Sequence, residues 1–292
     1  MEALYDIAGT SRQAFHRWLR PSQRDLWAAP GEAVLEAARQ VRNDILPGQG
    51  ARKLHFYMCS QPDHAPLMKG WGKHRFEALY MSGGLRLLPR RALVKTTCRG
   101  QFVFPNLIEG KQLDNINQVW DSDMCYVFYG TNLLGYATTV KDVYSRFLLA
   151  LVFSQTMRAE DTTLPALYAA LQFRSINVYQ NLVFHSDGGK QYIQRDFLQT
   201  LNNYGICSSM ARNALENPFA EKLNDIIKNE YLQHLNVNSF AQLQSAGQFI
   251  FNSYNYHRPH ENLKYLTPFA FEEKIATLQP DQRTKMIIKV IS

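Results

Sequence analysis

Residues 181–192 read NLVFHSDGGKQY, and how this stretch is understood decides the fold. Leu182, Val183 and Phe184 form a short apolar run of the length and composition of a buried strand. The run passes directly into His185, Ser186 and Asp187, followed by Gly188 and Gly189. Asp and Gly are ordinary turn residues, so a turn is one explanation of the junction. The other is a carboxylate held out at the carboxyl end of a sheet strand to do chemistry.

Working outward favours a sheet. From Val119 three β-rich runs follow one another, VWDSDMCYVFYG, LGYATTVKDVYS and RFLLALVF, separated by turn residues. The spacing of Leu164, Leu167 and Leu171 predicts a helix over about 160–173. After the strand NLVF come a helix over 191–204, the short strand ICSSM, and a helix beginning near Phe219. The order βββαβαβα predicts an α/β fold with a mixed sheet.

The first part of the chain has a different texture. Thr10 with Gln13 has capping-box spacing, so a helix is expected from Ser11, with Ala14–Trp18 and Phe15–Leu19 as apolar pairs. Arg12, His16, Arg17 and Arg20 are left outward. Gly9 suits the turn of a helix-turn-helix whose second helix reads a groove, although an amphipathic helix docked on the protein has the same pattern. Val34, Ala38, Val41 and Ile45 mark a helix after Pro30, and GARKLHFYMC and KHRFEALYMSGG predict two more. LRLLPRRALVKTTCRG, carrying Arg90, Arg91 and Lys95, reads as a basic connector.

Composition narrows the function classes. A chain of 292 residues with 46% hydrophobic residues can bury a large core and a smaller one. Nothing resembles a membrane span or a secretory signal, and a cytoplasmic, nucleoid-associated location is expected. Cys59, Cys98, Cys125 and Cys207 are scattered, as reduced thiols would be. The net charge is +7, and residues 1–118 hold 17 Lys and Arg against 10 Asp and Glu, while the rest balances. That asymmetry suits a polyanion such as DNA, though mild basicity for solubility gives the same count.

Three acids stand at informative places. Asp123 lies inside the first β-rich run, where charge is depleted; Asp187 ends the fourth; Glu221 opens the helix after the fifth. Taken singly, each has a structural explanation: a paired charge, a turn residue, a residue favourable to a helix dipole. Brought together they would repel and raise one another's pKa, unless hard cations with a preference for oxygen neutralise them. Paired divalent ions can activate an attacking hydroxyl and stabilise the leaving oxygen of a phosphodiester.

The motifs around these acids carry a resemblance. NQVWDSD, HSDGGKQY, GICSSMARNALENPFAEKLNDIIKNE and YNYHRPHENLKYLTPFAF resemble, in order, the signature segments of DDE-type transposases of bacterial insertion sequences, specifically the second-frame protein of the IS-three family. That resemblance places the first acid on Asp123 rather than Asp121, with Asp187 and Glu221 as second and third. It implies a ribonuclease-H-like mixed-sheet core with helices on both faces, preceded by an all-α DNA-binding region. It also implies two Mg²⁺ ions, with Mn²⁺ as a substitute, and cleavage and joining of double-stranded DNA at element ends and target. A homo-oligomer on DNA is expected, and an upstream-frame DNA-binding fusion partner is compatible with the short first helix.

The expected layout is a partial helix-turn-helix over 1–20, a helical DNA-binding region over 21–99, a linker over 100–118, a catalytic core with its C-terminal helices over 119–275, and a tail over 276–292. Candidate DNA contacts are Arg12, Arg17, Arg90, Arg91, Lys95, Lys228 and Arg258, the last with an intramolecular contact as its alternative. Asp142 and His185 are expected to be structural.

Two departures from the family pattern stand out. Gly188 occupies a place where the family has Arg, and Ala214-Leu215-Glu216-Asn217-Pro218 replaces its usual loop before the third acid, which makes Glu216 the fallback third acid. A DNA-binding relative with decayed or repurposed catalysis, and a ribonuclease-H-like nuclease without strand transfer, are the competing functions.

Overall fold

The computed structural model describes residues 29–87, 104–131, 133–175, 181–211 and 218–289. The expected helix at 11–19 with Arg12 and Arg17, the connector residues Arg90, Arg91 and Lys95, and the fallback acid Glu216 lie outside the described residues. Two units are distinguished, Met1–Asp44 with Gln49–Leu88, and Ile45–Gly48 with Pro89–Ser292.

Among the described residues the first unit contains three helices, α1 (Gly31–Asp44), α2 (Ala51–Ser60) and α3 (Lys73–Ser82). Helix α1 starts where Pro30 can no longer donate but can accept, and the amides of Ala33 and Val34 bond its carbonyl. Val34, Ala38 and Val41, spaced four and three apart, are buried with Leu54, Met58 and Phe76 of the other two helices. Arg42, outward by pattern, turns back on its own unit, donating to the carbonyl of Leu85 at 2.6 Å and to Tyr80 Oη at 3.2 Å.

The second unit holds β1 (Gln112–Leu113), β2 (Val119–Tyr129), β3 (Leu133–Asp142), β4 (Leu148–Ser154), α4 (Thr163–Arg174), β5 (Val183–Ser186), α5 (Arg195–Asn203), β6 (Cys207–Met210), α6 (Pro218–Ile226), α7 (Phe240–Asn252), α8 (Pro268–Ala276) and β7 (Met286–Ile287). Five strands form one sheet in the order β4-β3-β2-β5-β6. Strands β2, β3 and β4 are antiparallel, whereas β5 and β6 run parallel to β2. This is the mixed sheet expected of a ribonuclease-H-like core.

Alternation along β2 builds two cores, because successive side chains point to opposite faces. Trp120 joins Phe147, Leu167, Leu171, Phe184 and Phe197 beneath α4 and α5. Cys125, Val127 and Tyr129 join Leu223, Ile227, Leu243 and Ile250 beneath α6 and α7. Burying each large side chain contributes roughly 1.5–3 kcal/mol, so both faces must be covered for the sheet to be stable.

A smaller core lies beside the five-stranded sheet. Ile108 and Leu113 from the expected linker, and Ile288 from the expected tail, are buried together with Val119, Val143 and Ile275. Strands β1 and β7 pair antiparallel, Leu113 opposite Met286. Both segments are therefore part of the folded core unit; two-residue strands are too short to leave a periodic signal. Among the described residues no helix is long and apolar enough to cross a membrane.

Candidate active site

The family-like motifs have structural reasons that fix where the acids go. Asp142 is fully buried and accepts from the amides of Asn117 (2.6 Å), Tyr144 (3.0 Å) and Ser145 (2.9 Å), which pins the start of β2 to the β3–β4 turn. Asn117 sits at φ 60° and accepts from the Trp120 indole at 3.1 Å. His185 lies buried in β5, 2.9 Å from Ser209 of β6. Both residues are structural, as the sequence suggested. Asn255 bonds both the amide and the carbonyl of Leu148, each at 2.9 Å, so a side chain completes the bonding of β4 at the end of the strand order.

On this frame Asp121, Asp123 and Cys125 share one face of β2. Strand β5 is registered so that Ser186 lies opposite Ser122, which brings Asp187, the next residue, out of the sheet beside Asp123. The amide of Gly189 donates to Asp187 Oδ1 at 3.1 Å and orients that carboxylate. A Cβ at Gly189 would meet the same oxygen at 2.9 Å, so a side chain there would displace the Asp187 carboxylate. Helix α6 lies over the face and carries Glu221, exposed, in its first turn. One turn later Asn224 donates its amide to Asp123 Oδ2 at 2.7 Å.

The acids influence one another electrostatically. Burial pushes the Asp123 carboxyl well above the ordinary range; repulsion by Asp187 and then Asp121 adds to it. The Met124 amide offsets part of this, and Glu221 contributes a smaller repulsion. Asp121 is also raised by burial, while Lys141 and Arg146 pull it down and Asp187 pushes it up. Lys141, directly opposite Asp121 in the sheet, is lowered by burial; its ammonium lies 3.8 Å from Asp121 Oδ2.

Among the described residues no three or more His, Cys, Asp or Glu side chains form a ready ion cage. The chemistry of the donors nevertheless fits a hard cation. Asp123 and Asp187 repel each other, and both oxygens of Asp121 and the Oδ1 of Asn224 are buried without a hydrogen-bond partner. An oxygen-rich patch with surplus negative charge is the setting in which Mg²⁺-type ions bind.

The sequence reading set Asp121 aside in favour of Asp123 and missed two further members of this neighbourhood, Lys141 and Asn224. A charge inside each of two β-rich runs was the available signal for Asp121 and Lys141, but only register places them opposite one another. Arg258 is 2% exposed and forms a fork-to-fork pair with Glu230, at 2.7 and 2.8 Å. Its guanidinium ties the turn after α7 to the segment after α6. Lys228 is half-buried at the point where α6 widens into a π-helix (Ile227–Leu232), and its ammonium offsets part of the burial that pushes the Cys125 thiol up.

A mixed five-stranded sheet covered by helices on both faces, with acids where β2 and β5 run side by side, is a ribonuclease-H-like core. The chain matches the integrase core domain family over residues 114–214, and a second integrase core domain family over 208–268. It is 32% identical to the insertion element IS600 uncharacterized 31 kDa protein of Shigella sonnei, over 92% of this chain and 97% of that protein. It is 28% identical to the transposase for insertion sequence element IS904 of Lactococcus lactis, over 54% of this chain and 62% of that one. The chain belongs to the integrase-core transposases of bacterial insertion sequences.

Solved structures with a similar course of chain include the catalytic core domain of HTLV-2 integrase in complex with magnesium, in a dimeric form. It aligns over 54% of this chain and 97% of its own, at 18% identity and a TM-score of 0.42. The simian T-cell lymphotropic virus intasome in complex with a PP2A regulatory subunit aligns over 76% and 74%, at 14% identity and a TM-score of 0.45.

Proposed function

We propose that this chain cleaves DNA at the ends of a mobile element and joins the freed strands to target DNA, with Asp123, Asp187 and Glu221 as its catalytic carboxylates. The observation that carries this reading is the accumulation of negative charge at Asp123 by Asp187, Asp121 and Glu221. Repulsion between neighbouring carboxylates is unfavourable in a structural core and is relieved by divalent cations. Two Mg²⁺ ions, replaceable by Mn²⁺, would be held by Asp123, Asp187 and Glu221; when bound they supply Lewis-acid activation of a hydroxyl and stabilisation of a leaving oxygen.

The chain's own residues do the positioning. Gly189 and Asn224 orient the carboxylates of Asp187 and Asp123 through the bonds already described. Lys228, two helical turns beyond Glu221, supplies a cation on the sheet face that carries Asp123, suited to a phosphate of the bound strand. Basic residues of the first part of the chain, including Arg12, Arg17, Arg90, Arg91 and Lys95, would track the duplex backbone, and a homo-oligomer would bring two element ends together.

The test is incubation of labelled element-end DNA and a target plasmid with Mg²⁺, comparing the wild type with Asp187→Asn. Nicked ends and joined product from the wild type alone are expected. Binding without nicking would point to a decayed relative, and hydrolysis without joining to a nuclease.

A further inference from the structure

We infer that Lys141 is a positioning residue for the third carboxylate: its ammonium, set opposite Asp121, holds the first turn of α6 and thereby fixes where Glu221 stands. This rests on the proposed role of Glu221. The Lys141 Nζ donates to the backbone carbonyl of Phe219, two residues before Glu221. The Arg146 guanidinium lies 4.7 Å from the centre of the Phe219 ring. One residue of the helix start is therefore held by its carbonyl from β3 and by its ring from the β3–β4 turn.

The cost of this arrangement is what singles it out. Side-chain exposure is 4% for Lys141 and 1% for Asp121, and neither Asp121 oxygen has a hydrogen-bond partner. An ion pair at 3.8 Å without hydrogen bonds repays little of the desolvation of its members. The bond that Lys141 does make is to the helix that bears Glu221. Asn224 ties the second turn of the same helix to Asp123. Glu221 thus lies between two tethers, one to each of the neighbouring strands β3 and β2. A first-turn side chain on a helix held at one tether only would sweep over a wider range, and catalytic groups misplaced by about 1 Å lose on the order of a hundredfold in rate.

The test uses the full chain with Lys141→Met, Lys141→Arg and the double variant Asp121→Leu/Lys141→Met. Backbone hydrogen exchange at residues 221–224, thermal midpoint, and Mn²⁺-dependent nicking of a supercoiled plasmid are measured together. Lys141→Met is expected to exchange about tenfold faster at those amides, with β2 and β5 unchanged, and to nick about tenfold to a hundredfold more slowly. Lys141→Arg, which keeps a charged donor, should recover most of both. The double variant removes the unpaired buried charge and restores folding if the single one fails to fold; it should remain loose at α6 and slow in nicking. Wild-type exchange and nicking in the double variant would overturn the inference, reducing Lys141 to a counter-ion for Asp121. If the wild type itself does not nick, the catalytic reading fails, while the exchange measurement still decides whether Lys141 holds α6.

Discussion

The side-chain amide of Asn224 donates to Asp123 Oδ2 at 2.7 Å, and its own Oδ1 is buried without a partner. One face of α6 therefore orients the central carboxylate and presents an unused oxygen beside it. Asn224→Ala should lower metal-dependent cleavage of element-end DNA by about 10–100-fold, the usual effect of removing a residue that orients a metal ligand. The thermal midpoint should move by only a few degrees. Unchanged cleavage in this variant would mean that Asp123 is oriented without it.

Asp123→Asn, Asp187→Asn and Glu221→Gln should each remove cleavage and joining, by about 10³-fold or more, while gel-shift affinity for element ends stays near wild type. Glu216→Gln is the control for the choice of third acid. If Glu216→Gln is inactive and Glu221→Gln is active, the third carboxylate has been assigned to the wrong residue.

Stability should carry the signature of the crowded acids. The folded-state pKa of Asp123 is raised, so the folded chain keeps a proton that the unfolded chain releases near pH ~3.9. The resulting penalty is absent below that pH, grows as pH rises through the folded-state value, and is complete above it. Asp123→Asn, which removes the charge, should therefore raise the thermal midpoint at pH 8 and have little effect near pH 4. Millimolar Mg²⁺ or Mn²⁺ should stabilise the wild type at pH 8, chelation should reverse this, and the variant should respond less. Scanning calorimetry at both pH values, with and without the ion, measures each of these effects.

Arg258 separates structural from DNA-contacting roles. Removing one partner of a buried, bidentate pair leaves the other charge uncompensated, which costs on the order of 3–5 kcal/mol. Arg258→Ala should show that loss in urea unfolding, because the Glu230 side chain is only 21% exposed. A variant of wild-type stability with weakened DNA binding would restore the DNA contact.

The two glycines after Asp187 should respond oppositely. A Cβ at Gly188 meets nothing within 4 Å, so Gly188→Arg, the residue usual in the family, should change stability by about 0.5 kcal/mol or less. It should tighten end binding and steepen its salt dependence through one added phosphate contact. Gly189→Ala presses on Asp187 Oδ1 and should slow cleavage about tenfold or more.

The sequence by itself determined the order of elements and the three candidate acids. Long apolar alternation, as in VWDSDMCYVFYG, and an Asp before paired glycines are local patterns, and local patterns survive without a fold. The family motifs were legible for the same reason, and Asp142, Asn117 and Asn255 now account for much of their content as turn and edge bonds. Tertiary structure alone decided which residues surround those acids. The register of β2 on β3 puts Lys141 opposite Asp121, and the seat of α6 on the sheet brings Asn224 to Asp123 across 101 positions. It also turned Arg258 inward and drew residues around 108–113 and 286–288 into one small core. These facts depend on strand pairing and helix docking between distant segments, and a single sequence holds no local trace of either. A charged side chain looks the same in the sequence whether it will meet water, a phosphate or a buried partner.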